Sequence, residues 1–169
     1  TKAQDAGAFP EWLLEYAENV LKSCNPGAIL FTGGDAEVFP VWYCQFIRGI
    51  RTDVTLAPVT LLDRPWFLSY LKSGTSSRIP ALPIPWTHEQ IMGIHPFKWT
   101  KTDFGLEVPV GARSRYESTD TTIVWSLSPD MEREGRTFLS VSRAVMKDVI
   151  IANKWERPIH FTYGCHQWM

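Results

Sequence analysis

The run Phe31-Thr32-Gly33-Gly34-Asp35-Ala36-Glu37-Val38-Phe39-Pro40 concentrates residue types that do chemistry. Two glycines let a backbone approach a ligand closely. Two carboxylates, Asp35 and Glu37, are separated by Ala36 alone. The run leaves a buried apolar strand and enters a helix. In open parallel sheets ligands bind outside the carboxyl ends of the strands, and helix N-termini attract anions. Carboxylates repel a phosphate, so this pair better suits a divalent cation, a sugar hydroxyl or a cationic group. Gly33, Gly34, Asp35, Glu37 and the nearby Trp42 are therefore the candidate ligand-binding residues. The competing reading makes Gly33-Gly34 a tight turn, with Asp35 hydrogen-bonded to neighbouring backbone amides.

Other chemistry is sparse. His88, His95, His160 and His166 show no metal-binding spacing on one element. His160 falls in the last expected strand and reads as a satisfied structural histidine, whereas His88 and His95 could meet Asp35 only through the fold. No Gly-x-Ser-x-Gly elbow, phosphate-loop or dinucleotide fingerprint occurs. The Gly-Gly-Asp sequence suggests a diguanylate cyclase, but that signature needs contiguous acids on a hairpin. Here Ala36 separates them and Pro40 follows. Cys24, Cys44 and Cys165 form no Cys-x-x-Cys pair; buried free thiols are the expectation for Cys24 and Cys44, and the odd count argues against a disulfide framework while leaving a single bridge open. The expected cofactor list is empty, save for a divalent metal at Asp35 and Glu37.

Seventeen Lys and Arg face 18 Asp and Glu, a net charge of −1, and no long basic run occurs. That excludes the electrostatic footprint of nucleic-acid binding. Eight Trp, nine Phe and five Tyr are a large aromatic complement, divided between core and interface because ring edges and indole N–H groups need partners. The longest apolar stretch, Val38 to Ile47, is too short for a membrane span and holds Pro40 and Gln45. The absence of an initial Met reads as a fragment of a larger protein.

The elements that must position the loop follow from periodicity. Glu11 to about Lys22 repeats apolar residues at helical spacing, and Asn25-Pro26-Gly27 stops it. Ala28–Thr32 reads as a strand, then a helix begins with Pro40 at its first position and ends at Gly49. Val54–Leu62 is a second strand, and Asp63-Arg64-Pro65 opens a helix over Trp66–Lys72. An irregular proline-rich insert occupies about residues 73–120, with short strands around Leu82–Ile84 and Leu106–Val110. Thr121–Leu127 is a strand, Phe138–Asn153 a helix and Pro158–Thr162 a last strand. This alternation predicts a single α/β domain over 1–169, a three-layer Rossmann-like sandwich with a mostly parallel sheet. Arg51, Asp53, Asn153, Glu156 and Arg157 precede strands and read as a capping network at the sheet end opposite Asp35.

Several blocks resemble a known family: Tyr16-Ala17-Glu18-Asn19-Val20-Leu21, Ala28 through Asp35, Phe39-Pro40-Val41-Trp42-Tyr43, Gly49 through Val54, and Ile150 through Ile159. Together they resemble the soluble part of proteins grouped as domain of unknown function 2723. These are protein O-mannosyltransferase-like membrane glycosyltransferases of the bacterial envelope. The resemblance implies a domain on the periplasmic face of the bacterial inner membrane. Its partner would be the membrane-embedded remainder of the same polypeptide, which carries the catalytic acids. Where that family has Asn-Gly-Asp-Asn-Asp-Thr, this chain has Gly33-Gly34-Asp35-Ala36-Glu37-Val38, which replaces a helix-capping Thr by Val38 and would cost about 1 kcal/mol.

Three functions follow as expectations. The first is a non-catalytic accessory domain that binds or positions acceptor protein or glycan through the Gly33–Val41 loop and the insert. The second is a metal-assisted hydrolase or transferase using Asp35 and Glu37 with His88 or His95. The third is a structural docking module with exposed aromatics as its interface.

Overall fold

The computed structural model describes residues 9–74, 79–115 and 119–168. The chain is mixed α/β, with one small parallel sheet and two antiparallel ones. Helix α1 spans Glu11–Ser23 and leads to strand β1, Ile29–Thr32, whose four residues are all buried. Helix α2 spans Asp35–Phe46, and strand β2 spans Thr55–Pro58. A 3-10 turn over Val59–Leu61 then passes to helix α3, Pro65–Ser73, which has its proline at the first position.

The parallel sheet is completed by the last strand, β8, Ile159–Phe161, in the order β2-β1-β8. Successive side chains of a strand alternate between faces, so β1 feeds two cores. Ile29 and Phe31 pack with Phe67, Leu68 and Leu71 of α3 and with Val145 and Val149 of helix α6, Val141–Ala152. Leu30 packs on the other side with Leu14, Ala17 and Leu21 of α1 and Val41 and Cys44 of α2.

The remainder departs from a continuous doubly wound sheet. Thr122–Leu127, expected in the parallel sheet, is strand β5 of an antiparallel pair with β4, Thr102–Glu107. Most of β5 is exposed, so it lacks the two-sided burial that a central parallel strand requires. The insert is also less irregular than expected. It holds helix α4, His88–Met92, with a Thr87/Gln90 capping box, strand β3, Phe97–Lys98, and a short helix α5, Val110–Arg115. Leu82–Ile84 forms no strand, and Leu106–Val110 is divided between the end of β4 and the start of α5.

Two helix boundaries are corrected. The helix expected from Pro40 begins at Asp35, so Pro40 is internal and removes the bond to the Ala36 carbonyl, a cost of about 3 kcal/mol in an ordinary helix interior. The earlier start is favoured because Gly34 O accepts from Glu37 N (3.0 Å) and Val38 N (3.2 Å). Asp35 and Glu37 also lie at the positive end of the helix dipole. Gly34 is the N-cap and Val38 is a buried core residue, so Val38 does not occupy a cap position. The helix expected from Phe138 begins instead at Val141. Phe138 belongs to β7, Arg136–Leu139, paired with β6, Met131–Arg133. Glu134 (φ 51°) and Gly135 (φ 69°) turn this hairpin, the left-handed pair that matches strand twist.

Candidate functional site

The Gly33–Glu37 loop lies at the carboxyl end of β1, as its sequence position requires, but it is closed by the chain itself. Glu37 is half-buried and its carboxylate collects donors from three directions. The Gly33 N–H donates to Oε2 at 2.9 Å, and the Thr162 hydroxyl donates to the same oxygen. On Oε1 the Gly164 N–H donates at 3.2 Å and the Tyr16 hydroxyl at 3.4 Å. Burial and the Glu37 charge raise the Tyr16 phenol above its ordinary value, burial contributing more. This carboxylate ties the β1–α2 turn to the segment after β8.

The glycines have different jobs. A Cβ on Gly33 would lie 2.7 Å from the Gly164 carbonyl carbon, and one on Gly164 would lie 2.8 Å from Glu37 Oε2. A Cβ on Gly34 would meet nothing within 4 Å. The close backbone approach read from the sequence exists at Gly33, and its partner is Gly164. Asp35 is exposed at the first turn of α2 and contributes no bond to the clamp that holds Glu37. Trp42 is seven residues further along α2, edge-on to Phe39 (6.1 Å) and Phe67 (6.2 Å). It lines a cavity of about 250 Å³ with Phe46, Trp66 and Tyr70, and none of residues 33–37 borders that cavity.

Among the described residues no three His, Cys, Asp or Glu side chains could together hold a metal. His95 stacks on Phe97 with its Nδ1 3.0 Å from Gly93 O, and His88 begins α4. His160 Nε2 lies 3.1 Å from Asn25 Oδ1. The side chain of His166 lies outside the described residues. Cys24, Cys44 and Cys165 are free and buried, and burial raises the Cys24 and Cys165 thiols above their ordinary range.

The opposite end of the sheet carries the cationic residues. Arg51 forms a two-pronged pair with Asp53 (2.8 and 3.0 Å) and donates to the carbonyls of Leu21, Cys24 and Asn25. Arg51 and the Gly27 N–H hold the Asp53 carboxyl down at about 2. Arg157 has only neutral acceptors: the carbonyls of Gly27, Ala28 and Ala81 and the Thr55 hydroxyl. Burial lowers its pKa. Its guanidinium fastens the starts of β1 and β2 to the residues that lead into β8.

One large opening was not foreseen. A groove of about 880 Å³ runs between the β4–β5 hairpin, α6 and β8. Leu106, Ile123 and Trp125 form one wall, Met146 and Ile150 the floor, and Ile159 and Phe161 the other wall. These residues are far apart in the sequence. The one local signal was the strict in–out alternation over Thr102–Glu107, which marks a half-buried strand with a second surface to cover. The groove lies beside an edge strand rather than beyond the strand carboxyl ends, because the Glu37 clamp and the turn over Tyr163–Trp168 close that end.

Fold and site together define a mixed α/β domain with a closed turn where an acidic site was expected and an open apolar groove elsewhere. The family model for TMEM260-associated domain 2 matches residues 13–104, more than half of the 169, and the chain belongs to that family. This membership corrects the resemblance to domain of unknown function 2723 and its O-mannosyltransferase-like proteins. The match spans α1 through part of β4, and of the groove-lining residues it includes Asn25 alone. No curated protein and no solved structure matches the chain.

Proposed function

We propose that this chain is a non-catalytic accessory domain of a TMEM260-like membrane protein, and that it binds or positions acceptor protein or glycan in the groove between the β4–β5 hairpin, α6 and β8. The observation that carries this reading is the contrast between the two sites. Glu37 is saturated by backbone and hydroxyl donors within the fold, whereas the groove is open, largely apolar and of the volume that ligand sites occupy. Catalysis by Asp35 and Glu37 would require Glu37 to release those donors, leaving the Gly33 N–H with only its long bond to Thr162 Oγ1 (3.3 Å) and the Thr162 hydroxyl without its carboxylate acceptor, where both residues are buried.

A second observation bears on how the domain is held. Phe39, Phe46, Trp66 and Tyr70 are exposed on α2 and α3, and the rings of Phe39, Trp66 and Tyr70 are linked through Trp42 and the buried Phe67 beneath them. Contiguous exposed aromatics mark interaction surfaces. In this reading the surface docks the domain on the membrane-embedded remainder of its own polypeptide, on the side facing away from the cytoplasm. The groove is left free for the acceptor.

The test is a titration of the chain with an unfolded acidic polypeptide and, separately, with neutral oligosaccharides, followed by Trp125 and Trp155 side-chain NMR signals. Both indoles line the groove. Shifts at these indoles, with no turnover of sugar donors by the chain alone, are the expected result. Sugar transfer by the chain alone, or no shift with either ligand, would overturn the reading.

A further inference from the structure

Strand β8 is an edge of the parallel sheet among the described residues, and its unpaired side faces the groove. The direction of its backbone groups follows from two bonds. Pro158 O accepts from Ile29 N (2.8 Å), and Thr162 N donates to Phe31 O (3.0 Å). Alternate residues of a strand direct their polar groups to the same side, so 158, 160 and 162 face β1. The N–H and C=O groups of Ile159 and Phe161 therefore point away from the sheet, and both residues line the groove. Such a row of unpaired groups is a template for another strand.

The surroundings select the occupant. The floor presents Met146 and Ile150, and the facing wall presents Leu106, Ile123 and Trp125, which suits apolar side chains at alternate positions. Arg143, Lys147, Lys154 and Arg157 line the groove against one carboxylate, Glu156. Lys147 is paired with Asp148 at 2.5 Å, and Arg157 is bonded only to neutral oxygens. The groove therefore keeps an excess of positive charge. Asn153, 4% exposed and also a lining residue, donates its Nδ2 to Arg157 O, while its Oδ1 has no donor. A second copy is a poor occupant: an isologous contact would set each cationic rim against itself.

We propose that the open edge of β8 takes one extended, acidic segment of a partner polypeptide as an added strand, bonded to Ile159 and Phe161. Its apolar side chains lie on the α6 floor and its carboxylates face Lys154. This is strand addition to an exposed sheet edge, in which main-chain bonds supply affinity and alternate side chains supply specificity. The inference rests on the groove being the binding site and goes further by naming polypeptide as the ligand and backbone pairing as the mode.

The test uses the whole chain and a synthetic peptide of alternating Val and Glu. Its controls are the same peptide N-methylated at alternate residues, one with Lys for Glu, and a neutral oligosaccharide. Amide hydrogen exchange is read at Ile159, His160 and Phe161. In the free chain His160 should be protected while Ile159 and Phe161 should exchange quickly. The acidic peptide should slow exchange at Ile159 and Phe161 about ten-fold or more. The N-methylated and Lys peptides should bind about ten-fold more weakly or worse, and Lys154→Glu should weaken the acidic peptide alone. Protection of Ile159 and Phe161 before any peptide is added, equal binding of the N-methylated peptide, or binding without added protection would each overturn the inference. Groove signals that respond only to the oligosaccharide would overturn it while leaving the proposed function standing. If no ligand moves the groove signals, both fall.

Discussion

Replacing Glu37 by Ala tests the assignment of the Gly33–Glu37 loop to structure rather than chemistry. The substitution removes the acceptor for the Gly33 N–H, the Thr162 hydroxyl and the Gly164 N–H. Gly33 and Thr162 are buried, and an unsatisfied buried donor costs about 1–3 kcal/mol. The Gly33 N–H retains a long bond to Thr162 Oγ1 at 3.3 Å, which moderates its share. Gly164 is half-buried, so water can replace its bond at little cost. The sum is about 3 kcal/mol. Asp35→Ala removes only an exposed charge at a helix N-terminus, at most about 1 kcal/mol. Equilibrium urea denaturation reads both. With a slope of about 2 kcal/mol per molar, Glu37→Ala should lower the midpoint by about 1.5 M and Asp35→Ala by less than about 0.5 M. An unchanged midpoint for Glu37→Ala, or a larger drop for Asp35→Ala, would refute the clamp.

Three further outcomes follow from the same geometry. Gly33→Ala drives a Cβ into the Gly164 backbone and should cost about 1–3 kcal/mol, whereas Gly34→Ala has open space and should change stability by less than about 0.5 kcal/mol, both read as melting temperature. Asp53 contributes stability through a folded-state pKa of about 2 against an ordinary 3.8. The contribution is complete above the ordinary value and disappears as pH falls through about 2. Its side chain is 43% exposed, so solvent screening leaves about 1 kcal/mol. The stability gap between the wild type and Asp53→Asn should therefore hold at pH 6 and close between about pH 4 and pH 2. Cys24, Cys44 and Cys165 are at most 5% exposed, so a thiol reagent should label them slowly in the native chain and rapidly in urea.

Local sequence determined the pieces held by local rules. The apolar spacing after Glu11 gives α1, the Pro65 start gives α3, and the buried run before Gly33 gives β1. These signals are carried by neighbours within a few residues, so one chain segment reveals them. The early start of α2 and the β6–β7 hairpin were obscured by competing local cues. Pro40 suggested a helix beginning where the acids had already begun one, and the Glu134-Gly135 turn separated Phe138 from the helix it was expected to open. The residues that fasten strand starts, Arg51 and Arg157, were recognisable as a group by position, but their acceptors come from β1, β2 and the insert.

Tertiary structure alone decided what the chemical-looking residues do. Asp35 and Glu37 are two residues apart in the chain, yet one is exposed and the other is clamped by Thr162 and Gly164 from the far C-terminal side. The sequence showed a glycine that permits close approach, and only the fold showed that another glycine of the chain makes that approach. The groove depends on the fold more strongly still. A hairpin at 102–127, a helix at 141–152 and a strand at 159–161 must be placed together before an open edge and its cationic rim exist. Local periodicity records which face of each element is apolar. Whether that face meets a helix, a second strand or open space is fixed by packing between segments far apart along the chain.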